Sequence, residues 1–125
     1  MDIKVDFTNV KNMYETVILV NPDLAEGDYK KVISKFEALI KDGKGDIVNL
    51  EHWGNKKLAY PIDSFNNAWY AFIEFNATGD LIGKLEQEYI YDESVIRYLT
   101  LRQERDAQAF NKKRRENGFA KKQEN

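Results

Sequence analysis

Between Met13 and Val20 the chain reads Met-Tyr-Glu-Thr-Val-Ile-Leu-Val, rich in β-branched and aromatic residues, and then meets the turn triplet Asn21-Pro22-Asp23. This predicts a first strand. The period then changes. Tyr29, Val32, Ile33, Phe36, Leu39 and Ile40 recur three and four residues apart, with Lys30, Lys31, Lys35 and Glu37 between them. Such spacing gathers apolar side chains on one side of a helix, and Gly43 and Gly45 are placed to stop it.

Asp46 to Tyr60 predicts a second strand, with Val48 and Leu50 in alternation and Gly54 marking a bulge. Pro61, which cannot donate to a ladder, closes it, and 61–67 is expected to be a loop. Trp69, Ala71, Ile73 and Phe75 then alternate with Tyr70, Phe72 and Glu74, the period of two that a third strand requires. Thr78 is placed to cap a second helix through its hydroxyl, with Asp80 near the positive end of the dipole. Leu81, Leu85 and Tyr89 share one side of that helix, which ends near Asp92, and Val95 to Arg102 supplies a fourth strand.

The element order is β-α-β-β-α-β. Right-handed crossovers in each β-α-β half place both helices on one face of a four-stranded antiparallel sheet. The fold class expected is therefore α+β, the ferredoxin-like split β-α-β. Its second sheet face has no helix to cover it, and an open sheet carrying aromatic residues is a docking surface for bases or for protein.

Composition agrees with one such domain. In 125 residues, 42% are apolar and 13% aromatic, enough to build a core. Residues 13–102 are expected to form the domain, residues 1–12 an N-terminal extension, and residues 103–125 a basic tail, disordered in the free protein because it has too few apolar residues to pack. There is no cysteine, which fits a reducing cytoplasm, and no apolar run of signal-peptide or membrane-spanning length.

The net charge of −2 weighs against a polyanionic partner, but its distribution alters that. Residues 1–96 hold 10 Lys/Arg against 17 Asp/Glu, and residues 97–125 hold 9 against 4. Charges interact over only about 8 Å at physiological salt, so local sign matters more than the total. Contacts to nucleic acid should be few and local.

No constellation points to catalysis, to a metal or to a cofactor. His52 is the single histidine, and its neighbour Glu51 faces away from it in a strand. Ser64 and Thr78 have no nearby histidine, and no glycine-rich phosphate loop is present.

Three segments carry a more specific signal. They are Tyr14-Glu15-Thr16-Val17 through Asn21-Pro22-Asp23, then Trp53-Gly54-Asn55-Lys56-Lys57-Leu58-Ala59-Tyr60-Pro61-Ile62, then Val95-Ile96-Arg97-Tyr98-Leu99. In order and spacing they resemble the bacterial small-subunit ribosomal protein S-six family, over Met13 to Arg102. The resemblance implies a non-enzymatic structural constituent of the small ribosomal subunit. It would bind the central domain of small-subunit ribosomal RNA together with ribosomal protein S-eighteen. Two departures stand out: Asn66, Asn67 and Ala68 replace a glycine with basic residues, and Asn55 replaces a frequently basic neighbour of Lys56. Fewer RNA contacts are expected from that hairpin.

The candidate rRNA-binding residues are Lys11, Lys56, Lys57, Arg97, Tyr98 and Arg102. Lys56 and Lys57 must face opposite ways, and lysines on a long hairpin also protect a sheet edge from aggregation. Tyr98 and Arg102 share one parity, with Arg97 on the other. A guanidinium grips phosphate with two donors, although pairing with Glu15 or Glu74 is the plainer role. Tyr70 to Phe75 also resembles the latter part of the octapeptide of RNA-recognition-motif domains, without its basic-glycine pair. A stand-alone single-strand RNA binder using Tyr70 and Phe72 is thus the competing expectation, and an acylphosphatase-like use of the fold a more distant one. The Lys112-Lys113-Arg114-Arg115 run in the tail could order on RNA or on a neighbouring protein.

Overall fold

The computed structural model describes residues 11–103. Six elements follow in the expected order: β1 (Asn12–Val20), α1 (Glu26–Asp42), β2 (Asp46–Ile62), β3 (Phe65–Ala77), α2 (Gly79–Tyr91) and β4 (Val95–Arg102). The strands form one sheet in the order β2-β3-β1-β4, each neighbour antiparallel. The first and third strands in the chain's order thus lie at the centre, and β2 and β4 are the edges.

Both helices cover one face. Tyr29, Ile33, Phe36 and Ile40 of α1 and Leu81, Leu85 and Tyr89 of α2 pack on Ile18, Val20, Ala71, Ile73 and Phe75 in a single buried cluster. The odd-numbered set of β3 faces this core, so the alternation of period two settles which face is buried. One polar chain runs through the core. The Thr16 hydroxyl lies 3.2 Å from the Tyr89 hydroxyl and 2.9 Å from that of Thr100, so these buried groups satisfy one another.

α1 closes at Gly43 and Gly45 as expected, but neither glycine supplies the left-handed residue. Gly43 has φ −82°, and the left-handed residue is Lys44, with φ 64°. The Gly45 N–H reaches the Ile40 carbonyl at 2.8 Å and the Lys44 N–H reaches that of Lys41 at 3.0 Å, the pair of bonds of a Schellman close. Both glycines are needed for space, because an added Cβ would come within 2.4 Å of Leu81 at Gly43 and 2.8 Å of Ile40 at Gly45. Lys44→Gly should therefore raise the stability by about 0.5–1 kcal/mol, seen as a higher urea midpoint, since a left-handed conformation strains any residue with a Cβ. An unchanged midpoint would show that this strain is absent.

Two expectations are corrected. The segment 61–67 is not a loop: β2 runs to Ile62, β3 begins at Phe65, and Ile62 pairs with Phe65. Asp63 and Ser64 turn the chain, with φ of 50° and 71°, the pattern of a two-residue type I′ hairpin. Pro61 is tolerated because β2 is an edge strand. Thr78 does occupy the N-cap position of α2, but its side chain makes no capping bond. The readings of residues 1–10 and 104–125 lie outside the described residues.

Candidate functional site

The face opposite the helices can be mapped row by row from the strand register. Pairings across the sheet align Asn49, Glu74, Glu15 and Leu101 in one row, and Glu51, Phe72, Val17 and Leu99 in the next. The third row holds Gly54, Tyr70, Leu19 and Arg97, and beyond it Lys56 pairs with Ala68. The face is therefore graded. One end carries three carboxylates, the middle is apolar and aromatic, and the far end carries Lys56 and Arg97.

Trp53 of β2 builds the aromatic part with Tyr70 and Phe72 of β3. Trp53 shares the open face with Asn49 and Glu51, and the register shift between His52 and Gly54, with Gly54 at φ 92°, changes the parity beyond it and brings Gly54 and Lys56 onto that face as well. The Trp53 ring stacks on Phe72 at 5.5 Å and 11°, and on Tyr70 at 6.4 Å and 18°. The indole N–H donates to Glu51 Oε1 at 2.8 Å, and the Asn49 amide donates to Glu51 Oε2 at 2.6 Å. A second small cluster of Leu19, Leu58 and Ala68, with Val17, Ile62, Tyr70 and Ile96 against it, fills the face toward the hairpin. Toward the β4 edge, Leu99 and Leu101 are 57% and 48% exposed, which is unusual for adjacent leucines on one face.

At the acidic end Glu74 is only 1% exposed, paired across the ladder with Glu15. The Gln103 amide donates to Glu74 Oε2 at 2.8 Å and to Glu15 Oε2 at 3.1 Å. Buried carboxylates need such donors, because leaving water costs several kcal/mol per ion.

The candidate residues separate by face. Lys56 and Arg97 lie on the open face, at opposite edges, and three strand spacings with a two-residue offset along the strands put them about 16 Å apart. Lys57, opposite Asn67, points to the other side of the hairpin. Arg102 pairs with Tyr14 on the helix side. Tyr98 pairs with Ile18, and its ring lies 5.0 Å from that of Tyr89, so much of it is core packing. Lys11 reaches Asp46 Oδ2 at 3.2 Å. Lys56, Lys57, Arg97 and Arg102 are exposed and make no ion pair among the described residues, so the expected pairing of the arginines with Glu15 or Glu74 is not found.

Two other sequence features have structural work. The Asn55 amide donates to the Pro22 carbonyl at 3.2 Å and braces the hairpin root against the β1–α1 turn. The Tyr29 hydroxyl sits 2.7 Å from His52 Nδ1 and 3.2 Å from the Tyr70 carbonyl, to which it can donate. Burial, with Lys30 nearby, lowers the His52 pKa and favours the neutral ring. The sequence reading missed Trp53, Glu51, Leu99 and Leu101 as members of one surface. The alternation of Glu51 with Trp53 and of Leu99 with Leu101 was visible, but not the cross-strand register that puts the two pairs on one face.

An exposed face graded from acid through aromatic to base is suited to docking, and it defines a binding domain of the split β-α-β class. The chain belongs to the ribosomal protein S6 family, whose sequence profile matches residues 13–102. That family is one of structural ribosomal proteins and not of enzymes. The chain is 44% identical over 104 residues to small ribosomal subunit protein bS6 of Porphyromonas gingivalis, covering 83% of this chain and 89% of the relative. It is 39% identical over 113 residues to the protein of that name from Phocaeicola vulgatus, covering 90% and 99%. Among solved structures it resembles 30S ribosomal protein S6 from Thermotoga maritima, with a TM-score of 0.73 and 27% identity over 87% of this chain and 99% of the other.

Proposed function

We propose that this chain is a structural constituent of the small ribosomal subunit that binds the central domain of small-subunit rRNA jointly with ribosomal protein S-eighteen. Family membership supports the ribosomal role, and the graded open face is the observation that carries the joint mode. RNA phosphates are taken by Lys56 and Arg97 at the basic end, with Lys57 and Arg102 reachable from the other side. The protein partner takes the apolar middle, where Val17, Leu99 and Leu101 line up beside the Trp53 stack. Few cations face RNA, so affinity for RNA alone is weak. A partner bound to both makes the second contact effectively intramolecular and supplies the missing strength.

The aromatic residues of the stand-alone RNA-binding alternative do lie on the open face. Yet Phe72 is stacked under Trp53, and Glu51 holds the indole, so a base would have to enter beside carboxylates. The joint mode is favoured for that reason.

The deciding measurement is RNA affinity with and without ribosomal protein S-eighteen. At least about a tenfold gain with the partner is expected, within the range that linked binding provides. Equal affinities would overturn the joint mode, and tight binding of short oligonucleotides by the chain alone would favour the stand-alone reading.

A further inference from the structure

Near the hairpin β2 departs from its partner. Lys57 pairs with Asn67 and Ile62 with Phe65, so the four residues from Leu58 to Pro61 stand opposite Asn66 alone and the strand bows outward. Two apolar side chains pin the bow. Leu58 is buried with Leu19 and Ala68, and Ile62 packs on the same cluster. Between them Tyr60 is 81% exposed, the most exposed large apolar side chain of the described residues.

Nothing in the described fold uses this ring. Its hydroxyl makes no hydrogen bond among the described residues, whereas that of the other well-exposed tyrosine, Tyr91, accepts one from Gln87. Pro61 confines the residue before it to extended backbone, so Tyr60 is presented on a stiff stretch of chain. A side chain held in this way loses little freedom when it binds.

The surroundings favour nucleic acid over protein. From Trp53 to Ile62 the strand has no carboxylate, and it carries the exposed Lys56 and Lys57, which lack ion pairs among the described residues. These lysines lie four and three residues back, at most roughly 13 and 10 Å along the strand, within reach of the phosphates next to a base at Tyr60. An open aromatic ring beside cations is the combination that holds unpaired bases. Unlike Phe72, which lies under Trp53 in the row of Glu51, Tyr60 is open to a planar partner.

We propose that Tyr60 is a stacking platform for one unpaired base of small-subunit rRNA, with Lys56 or Lys57 on an adjacent phosphate. This contact presupposes the rRNA-binding role proposed above, and it tolerates any sequence because every base presents a face to stack.

RNA affinity is to be measured for the full chain with ribosomal protein S-eighteen and the central domain of the rRNA. Tyr60→Ala should weaken binding by about 5- to 150-fold, the range of one base–aromatic stack. The slope against salt should not change, because no phosphate contact is lost. Tyr60→Phe, which keeps the ring, should bind within about twofold of the parent, and Tyr60→Leu, apolar but not planar, should behave like the alanine variant. The urea midpoint should stay parental in all three, since the side chain is so exposed. A shift for alanine would leave the phenylalanine and leucine pair to decide. Parental RNA binding by Tyr60→Ala would overturn this contact alone. So would rescue by leucine, or a loss of affinity for ribosomal protein S-eighteen without RNA, either of which would give the ring to the protein partner. Failure of the parent chain to bind this RNA would instead overturn the rRNA-binding role itself, and the stack with it.

Discussion

Phe36→Ala should lower the unfolding free energy by about 3–5 kcal/mol, the cost of emptying a fully enclosed aromatic site. The side chain is fully buried where α1 meets both the sheet and α2. Its ring meets that of Tyr89 edge-on, at 4.6 Å and 75°. Tyr89 in turn packs on Tyr98 and closes the hydroxyl chain through Thr16. A cavity at Phe36 therefore loosens a helix–helix contact, a helix–sheet contact and a buried polar link together. Three separately anchored elements line it, so collapse can recover little. The melting temperature should fall by at least about 12 °C for a domain of this size. Tyr91→Ala, on the exposed side of α2, should stay within about 0.5 kcal/mol of the parent. A loss under about 1 kcal/mol at Phe36 would mean that this aromatic contact does not organise the core.

The second large effect concerns RNA. With the protein partner present, replacing Lys56 and Arg97 by alanine should reduce the slope of log affinity against log salt by about 1.4–1.8, since each phosphate contact contributes roughly 0.7–0.9. Near 0.1 M salt the same slope change corresponds to about 25- to 60-fold weaker binding, taking 1 M as the reference at which the contacts contribute nothing. Both side chains are exposed and without ion pairs among the described residues, so stability should hardly move. The Lys57, Arg102 double variant supplies the comparison. If RNA runs only along the basic end of the open face, that variant keeps the parental slope. If RNA wraps the hairpin, it loses a similar amount. An unchanged slope in both variants would remove all four residues from the RNA interface.

The two predictions rest on different depths of sequence information. Phe36 was placed in the core by spacing alone, because three- and four-residue intervals leave one helix side that can be buried. The division of Arg97 from Tyr98 and Arg102 also followed from parity within one strand, and the register bears it out. Parity could not say which face each residue meets, since that depends on the pairing of Ile18 with Tyr98 across the sheet. Nor could local reading find the hairpin turn. Pro61 and the polar run after it imitate a loop, and only the edge position of β2 permits the strand to continue through a proline.

By itself, then, the sequence determined the order of elements, the helix faces that enter the core, the resemblance that names the family, and the residues able to touch phosphate. These follow from periods and local turn chemistry, which act over a few residues. Only the tertiary structure decided that Glu15, Glu51 and Glu74 gather at one end of the open face and Lys56 and Arg97 at the other. It also decided that the Trp53 ring stacks on Phe72 and Tyr70 of the neighbouring strand. Those facts are set by cross-strand register and by the register shifts in β2. Both couple positions tens of residues apart, and a one-residue slip would send each side chain to the opposite face.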